Sequence, residues 1–144
     1  MLSRSDRGLA YGDGLFETLR VGADGRVPLW PRHRARMLAG ARRLAIPLAA
    51  GELERALAAQ LRDHGAEAGV VKLVLTRGSG GRGYLPPARP EPTLFGQWFP
   101  LTAEPRDHLL HGVEIGLCDT VLPDDPFAGL KHLNRLPQVA ARAE

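Results

Sequence analysis

The spacing of apolar residues changes period several times along this chain, and each change marks an element. In GLFETLRV, residues 14–21, Leu15, Glu17, Leu19 and Val21 alternate with Phe16, Thr18 and Arg20. A period of two is what a strand with one buried face requires. Gly22 to Gly25 and a second short apolar run follow, so the pattern predicts a β-hairpin turning at Gly-Ala-Asp-Gly. After Trp30, Pro31 suits a first helical turn. Met37, Ala41 and Leu44 then recur on one face of an arginine-rich helix, which Pro47 is expected to end. A second helix is predicted over GELERALAAQLRDHG, with Leu53, Leu57 and Leu61 at i, i+4 and i+8 and Gly65 as its stop.

Beyond this point the pattern turns back to strands. GVVKLVLTRG is an apolar, β-branched run, and PTLFGQWFPL and GVEIGLCDTVLP are further strand candidates. A polar connection around Glu104 to His108 separates the last two and reads as a domain hinge. From about Leu133 the period is helical again, with Leu136, Val139 and Ala140 on one face, and it runs to Glu144 without a glycine, asparagine or proline stop. This order predicts an α+β fold with helices layered on one face of a sheet. The expected organisation is a small N-terminal α/β domain over residues 1–103, then a hinge and the incomplete start of a second domain over 104–144. One strand and one helix past the hinge bury little area by themselves, so a truncated protein is expected.

Composition narrows the classes. A chain of 144 residues that is 44% hydrophobic can build one ordinary core. The net charge of +3 is carried almost wholly by arginines spread along the chain, and aromatics are 6%. A nucleic-acid surface needs clustered basic residues with aromatics to stack on, so that class is set aside. The single cysteine, Cys118, excludes an internal disulfide and CxxC metal sites, fits a reducing compartment, and is expected to be a small buried hydrophobe. Neither an apolar run of ~20 residues nor a signal-peptide core is found, so a cytoplasmic protein without a membrane partner is expected.

RGSGGRGYLPP places Gly78, Gly80 and Gly83 in a G-x-G-x-x-G spacing after a strand. A dinucleotide fingerprint needs a helix opening at those glycines to face a pyrophosphate. Pro86, Pro87 and Pro90 exclude one, and no Gly-Lys-Ser or Gly-Lys-Thr completes a P-loop. What is left is a flexible glycine loop bearing Arg82 and Tyr84. In an extended segment, residues i and i+2 point the same way, and an arginine fork beside a phenol can grip a carboxylate. A solvated turn arginine beside a partly buried tyrosine is the other reading.

In HRARM, Arg36 lies three residues after His33 on the inner part of the first helix. An arginine there wants an anion, either a phosphate or the acid of a salt bridge. His33 has no second ligand at helical spacing and reads as structural. His108, His111 and His132 lack carboxylate or cysteine partners at metal spacings, so no metal is expected. A serine-hydrolase G-x-S-x-G element is also absent.

Lysine usage is the sharper signal. Seventeen arginines stand against two lysines, Lys72 and Lys131. Schiff-base chemistry needs an amine that can lose its proton near neutral pH, which lysine does after desolvation or beside another cation and arginine does not. Lys131 sits between PFAGL and HLN, an apolar setting with His132 and Asn134 able to hydrogen-bond. Lys72, within VVKLVL, occupies one strand face from which it can reach solvent.

Three segments taken together, SDRGLAYGDGLFETLRV, TRGSGGRGY and GLKHLNRLPQV, closely resemble the aminodeoxychorismate lyases in order and approximate spacing. These are fold type IV (class IV aminotransferase-like) pyridoxal-phosphate enzymes. The resemblance covers essentially the whole chain. It implies that Lys131 is the lysine joined covalently to pyridoxal phosphate, that Arg36 of the His-x-x-Arg motif binds the cofactor phosphate, and that Arg82 and Tyr84 contact a substrate carboxylate. The implied reaction converts 4-amino-4-deoxychorismate to 4-aminobenzoate and pyruvate, a step of folate biosynthesis, with the freed neutral amine of Lys131 taking the proton at C4. D-Amino-acid aminotransferases of this fold carry a tyrosine in place of Phe16 and a histidine in place of Tyr84, and branched-chain aminotransferases lack the Gly-Ser-Gly-Gly-Arg-Gly loop. A class IV aminotransferase is therefore the alternative, and a non-catalytic anion-binding or dimerising fragment is another. Such lyases are about twice this length, and their second domain supplies the acidic partner of the pyridine nitrogen and further phosphate contacts. The resemblance thus implies a homodimer for the full-length form, with its site near the subunit boundary, and weak cofactor binding by this chain alone.

Overall fold

The computed structural model describes residues 2–64, 67–102, 105–122 and 124–144. Three antiparallel strands, β1 (Gly14–Val21), β2 (Gly69–Thr76) and β3 (Thr93–Pro100), form one sheet in the order β1-β2-β3. The helices are α1 (Arg7–Tyr11), α2 (Trp30–Arg43), α3 (Ala50–His64), α4 (Arg106–His111) and α5 (Leu136–Ala143). This agrees with the predicted α+β class.

Register decides which side chains meet. Leu15 pairs with Leu75, Glu17 with Leu73 and Leu19 with Val71. Because strand side chains alternate, these residues share one face. On it Leu15, Leu19, Val21, Val71, Leu73 and Leu75 pack against Met37 and Ala41 of α2 and Leu53 and Leu57 of α3. The close approach of α2 depends on Gly40, where a Cβ would lie 2.8 Å from Leu15 Cδ1. The opposite face of the sheet carries Phe16, Thr18, Lys72, Val74 and Phe95.

The predicted hairpin does not form. Residues 22–25 do turn, with Gly25 at φ 71° and its N–H bonded to Gly22 O, but β1 finds its partner in β2. Pro28 has no N–H to donate to a ladder. Leu29, at φ 61°, swings the chain directly into α2, so Val27 and Trp30 pack against the core instead of pairing. As expected, Pro31 lies in the first turn of α2. That helix stops at Arg43, ahead of Pro47, because Ala45 turns left-handed (φ 51°) and the amides of Ala45 and Ile46 bond back to Arg42 O and Ala41 O.

Two further expectations change. Residues 112–122 form no strand: Val113, Ile115 and Leu117 are exposed, and no neighbouring strand among the described residues offers a ladder. Cys118 lies in this segment and is exposed, not buried. The polar connection after residue 105 is the short helix α4. The predicted stop at Gly65 and the boundary at residues 103 and 104 lie outside the described residues, as does residue 123. Among the described residues, no helix is long and apolar enough to cross a membrane.

Candidate active site

A short segment, residues 131–133, runs along the free edge of β1. Phe16 N–H donates to Lys131 O at 2.9 Å, Leu133 N–H donates to Gly14 O at 3.0 Å, and Leu15 stands opposite His132. That register sets Lys131 opposite Phe16, on the sheet face turned away from α2 and α3. Lys131 Nζ lies 4.4 Å from the Phe16 ring centroid, Lys72 Nζ 5.1 Å and Arg135 Cζ 5.4 Å. Lys72 reaches the same ring because Phe16 pairs with Val74, which makes Lys72 its diagonal neighbour. Lys72 is therefore part of this cluster, where the sequence suggested only a route to solvent.

Burial pushes the Lys131 amine below its ordinary proton affinity. Glu17 opposes this, while Arg36, Arg135 and Lys72 add to it. Desolvation and like charge act together here, the two devices that make a lysine a usable nucleophile or base.

Glu17 is the residue that sequence reasoning missed. It is 2% exposed on the apolar face of β1, and it accepts from Arg36 Nε at 2.5 Å, Arg36 Nη2 at 2.6 Å and His33 Nδ1 at 2.8 Å. The hydrogen bonds to Glu17 raise the proton affinity of Arg36. A signal was present: one acid at an inward position between Leu15 and Leu19, with His33 and Arg36 at i and i+3 on the helix that covers it. Arg36 remains half exposed, and its Nη1 makes no hydrogen bond among the described residues.

No hydrogen bond or ring contact among the described residues joins Arg82 or Tyr84 to Lys131, and Tyr84 is 86% exposed. Gly83, at φ 96°, bends the loop, so the two side chains are not carried by an extended segment. The loop is tied down from beneath by Arg7. Its Nη1 donates to Gly83 O at 3.0 Å and its Nη2 to Tyr84 O at 2.8 Å. Gly83 N–H donates to the Tyr11 hydroxyl, and the Tyr11 and Tyr84 rings meet edge-on at 5.6 Å. Asp13 joins Arg7 (2.9 Å) to Arg77 (2.7 Å), and Arg77 in turn donates to Leu44 O and Ala45 O at the end of α2. Burial works against the Asp13 carboxylate, but Arg77 and Arg7 outweigh it and hold it below the usual value.

His132 faces away from Lys131. Its Nε2 is 3.4 Å from Asp125 Oδ2, a carboxylate partner that the sequence did not indicate, and its Nδ1 is buried without a hydrogen bond among the described residues. Cavities of about 250 and 230 Å³ flank it, and neither is lined by Lys131. No group of three potential metal ligands occurs among the described residues.

The family model for amino-transferase class IV matches residues 14–144. A crystal structure of 4-amino-4-deoxychorismate lyase from Pseudomonas aeruginosa superposes with a TM-score of 0.92 at 52% identity, covering 100% of this chain and 53% of that one. The aminodeoxychorismate lyase of Vibrio harveyi is 37% identical over 142 residues, 96% of this chain and 51% of its own length. A hypothetical aminotransferase from Mycobacterium tuberculosis in its PLP-bound form matches with a TM-score of 0.58 at 27% identity, covering 71% of this chain and 34% of that one. The chain spans about half the length of the lyases it matches.

Proposed function

We propose that this chain, which belongs to the amino-transferase class IV family, carries the reactive lysine of a cytoplasmic, homodimeric, pyridoxal-phosphate-dependent lyase that acts on 4-amino-4-deoxychorismate. The observation that carries this reading is the setting of Lys131: a half-buried amine held beside two other cations on an aromatic ring, in a chain 52% identical to the Pseudomonas lyase.

The donor set suits the cofactor. Lys131 supplies a primary amine of lowered proton affinity for an aldehyde, and Arg36 has an unused Nη1 edge for a phosphate while its other edge is taken by Glu17. Pyridoxal phosphate, when bound, supplies an electron sink for charge developing next to the substrate's amino-bearing carbon.

The remaining work falls to side chains of this protein. The neutral amine of Lys131 would take the proton at C4, the bond from C3 to the enolpyruvyl oxygen would break as the ring becomes aromatic as 4-aminobenzoate, and the enolpyruvate released would take up a proton at its methylene carbon to become pyruvate. A low proton affinity serves this step because the amine must be unprotonated when the proton is presented. Arg82 and Tyr84 receive a substrate carboxylate on the glycine loop, whose shape Arg7 fixes through three successive backbone carbonyls. Glu17 holds the Arg36 guanidinium aligned through two hydrogen bonds.

With only two lysines, the decisive experiment is short. After incubation with pyridoxal phosphate, borohydride reduction should fix the label on Lys131, and Lys131→Ala should lose both label and pyruvate release from 4-amino-4-deoxychorismate. Labelling at Lys72, or amino transfer from D-alanine to 2-oxoglutarate in place of pyruvate release, would overturn the assignment.

A further inference from the structure

Lys131 lies on a very short edge strand, held to β1 by two backbone hydrogen bonds. In that register Lys131 O points toward β1, and the carbonyls of Leu130 and His132 on either side point outward, where a fourth strand would otherwise pair. Arg135 fills that place. Its Nε donates to His132 O at 2.9 Å and its Nη2 to Leu130 O at 3.2 Å, so one guanidinium spans the two outward carbonyls that bracket the lysine.

The arginine is itself anchored. It immediately precedes α5, and its own carbonyl accepts the amide of Val139 in the first turn of that helix. Its Cζ lies 5.4 Å from the Phe16 ring centroid, beside the ring on which Lys131 Nζ rests. Lysine could supply the charge but not a planar fork that bridges two carbonyls, and glutamine could bond to a carbonyl but carries no charge.

We propose that Arg135 is a positioning residue for Lys131: it bonds the two outward carbonyls as a paired strand would, fixes the lysine backbone at the edge of β1, and keeps a permanent cation beside the amine. This rests on Lys131 being the reactive amine. Lys72 and Arg135 share the Phe16 ring with that amine, and Glu17 and Arg36 act on it through charge from the other side of β1; of these four, Glu17 alone favours the protonated form.

The test separates bridge from charge and uses the cofactor-free chain, so it does not depend on turnover. Hydrogen exchange at the Phe16 and Leu133 amides reads the bridge, and an NMR titration of ¹³C-dimethylated lysines reads the amine. Arg135→Lys should speed exchange at both amides by about tenfold while the sheet-centre amides of Val71 and Leu73 stay protected. Arg135→Gln should move the Lys131 titration upward toward that of an ordinary lysine, an effect that a purely structural bridge would not produce. Unchanged exchange in Arg135→Lys would remove the bridging role, and an unmoved titration in Arg135→Gln would remove the charge role. Either result overturns the proposal, whereas failure to release pyruvate would overturn only the lyase reading.

Discussion

At the scale of single residues, the candidate site is a balance of charges around one amine. Among the described residues, Glu17 is the one carboxylate whose charge bears on Lys131, and it is shared with Arg36 and His33. Glu17→Gln keeps the shape and removes the charge. The Lys131 titration should then move further below the ordinary lysine value, since the one contribution raising it is gone. The stability cost should be modest, about 1–2 kcal/mol by chemical denaturation, because the half-exposed Arg36 can turn to water once released. Lys131 stood out in the sequence through its rarity and the motif around it. Glu17 did not, because strand alternation reports which face a residue occupies but not which residue of a distant helix will meet it.

At the scale of elements, local periods located strands and helices well and said little about their partners. The 14–21 strand was readable, but its pairing with 69–76 spans the whole α2–α3 excursion, and nothing local distinguishes that from a hairpin. The edge segment 131–133 was unreadable for the same reason, since two backbone hydrogen bonds leave no periodicity. The end of α2 shows a local conflict that can be measured. Ala45 occupies the left-handed position at φ 51° that glycine normally takes, and the hydrogen-bond pattern around it is that of a glycine-type helix stop. Relief of the Cβ strain exceeds the extra chain entropy that glycine brings, so Ala45→Gly should raise stability by about 0.5–1 kcal/mol, seen as a higher urea midpoint with unchanged slope.

At the scale of the whole molecule, one carboxylate joins pieces far apart in sequence. Asp13 accepts from Arg7, which shapes the glycine loop, and from Arg77, which closes the end of α2. Arg7 is 4% and Arg77 10% exposed at the side chain, so neither can turn to water as Arg36 can. Asp13→Asn should therefore cost about 3 kcal/mol at neutral pH, more than the loss of charge at Glu17. The sign with pH follows from the lowered proton affinity of Asp13. Its contribution is complete above the ordinary value near 3.8 and is lost as pH falls through the lower folded value, where the unfolded chain has already taken up the proton. Urea midpoints measured across that acid range should fall for the native protein and stay flatter for Asp13→Asn. A native protein whose midpoint did not fall there would show that the two arginines, and not their shared carboxylate, hold the loop to the helix end.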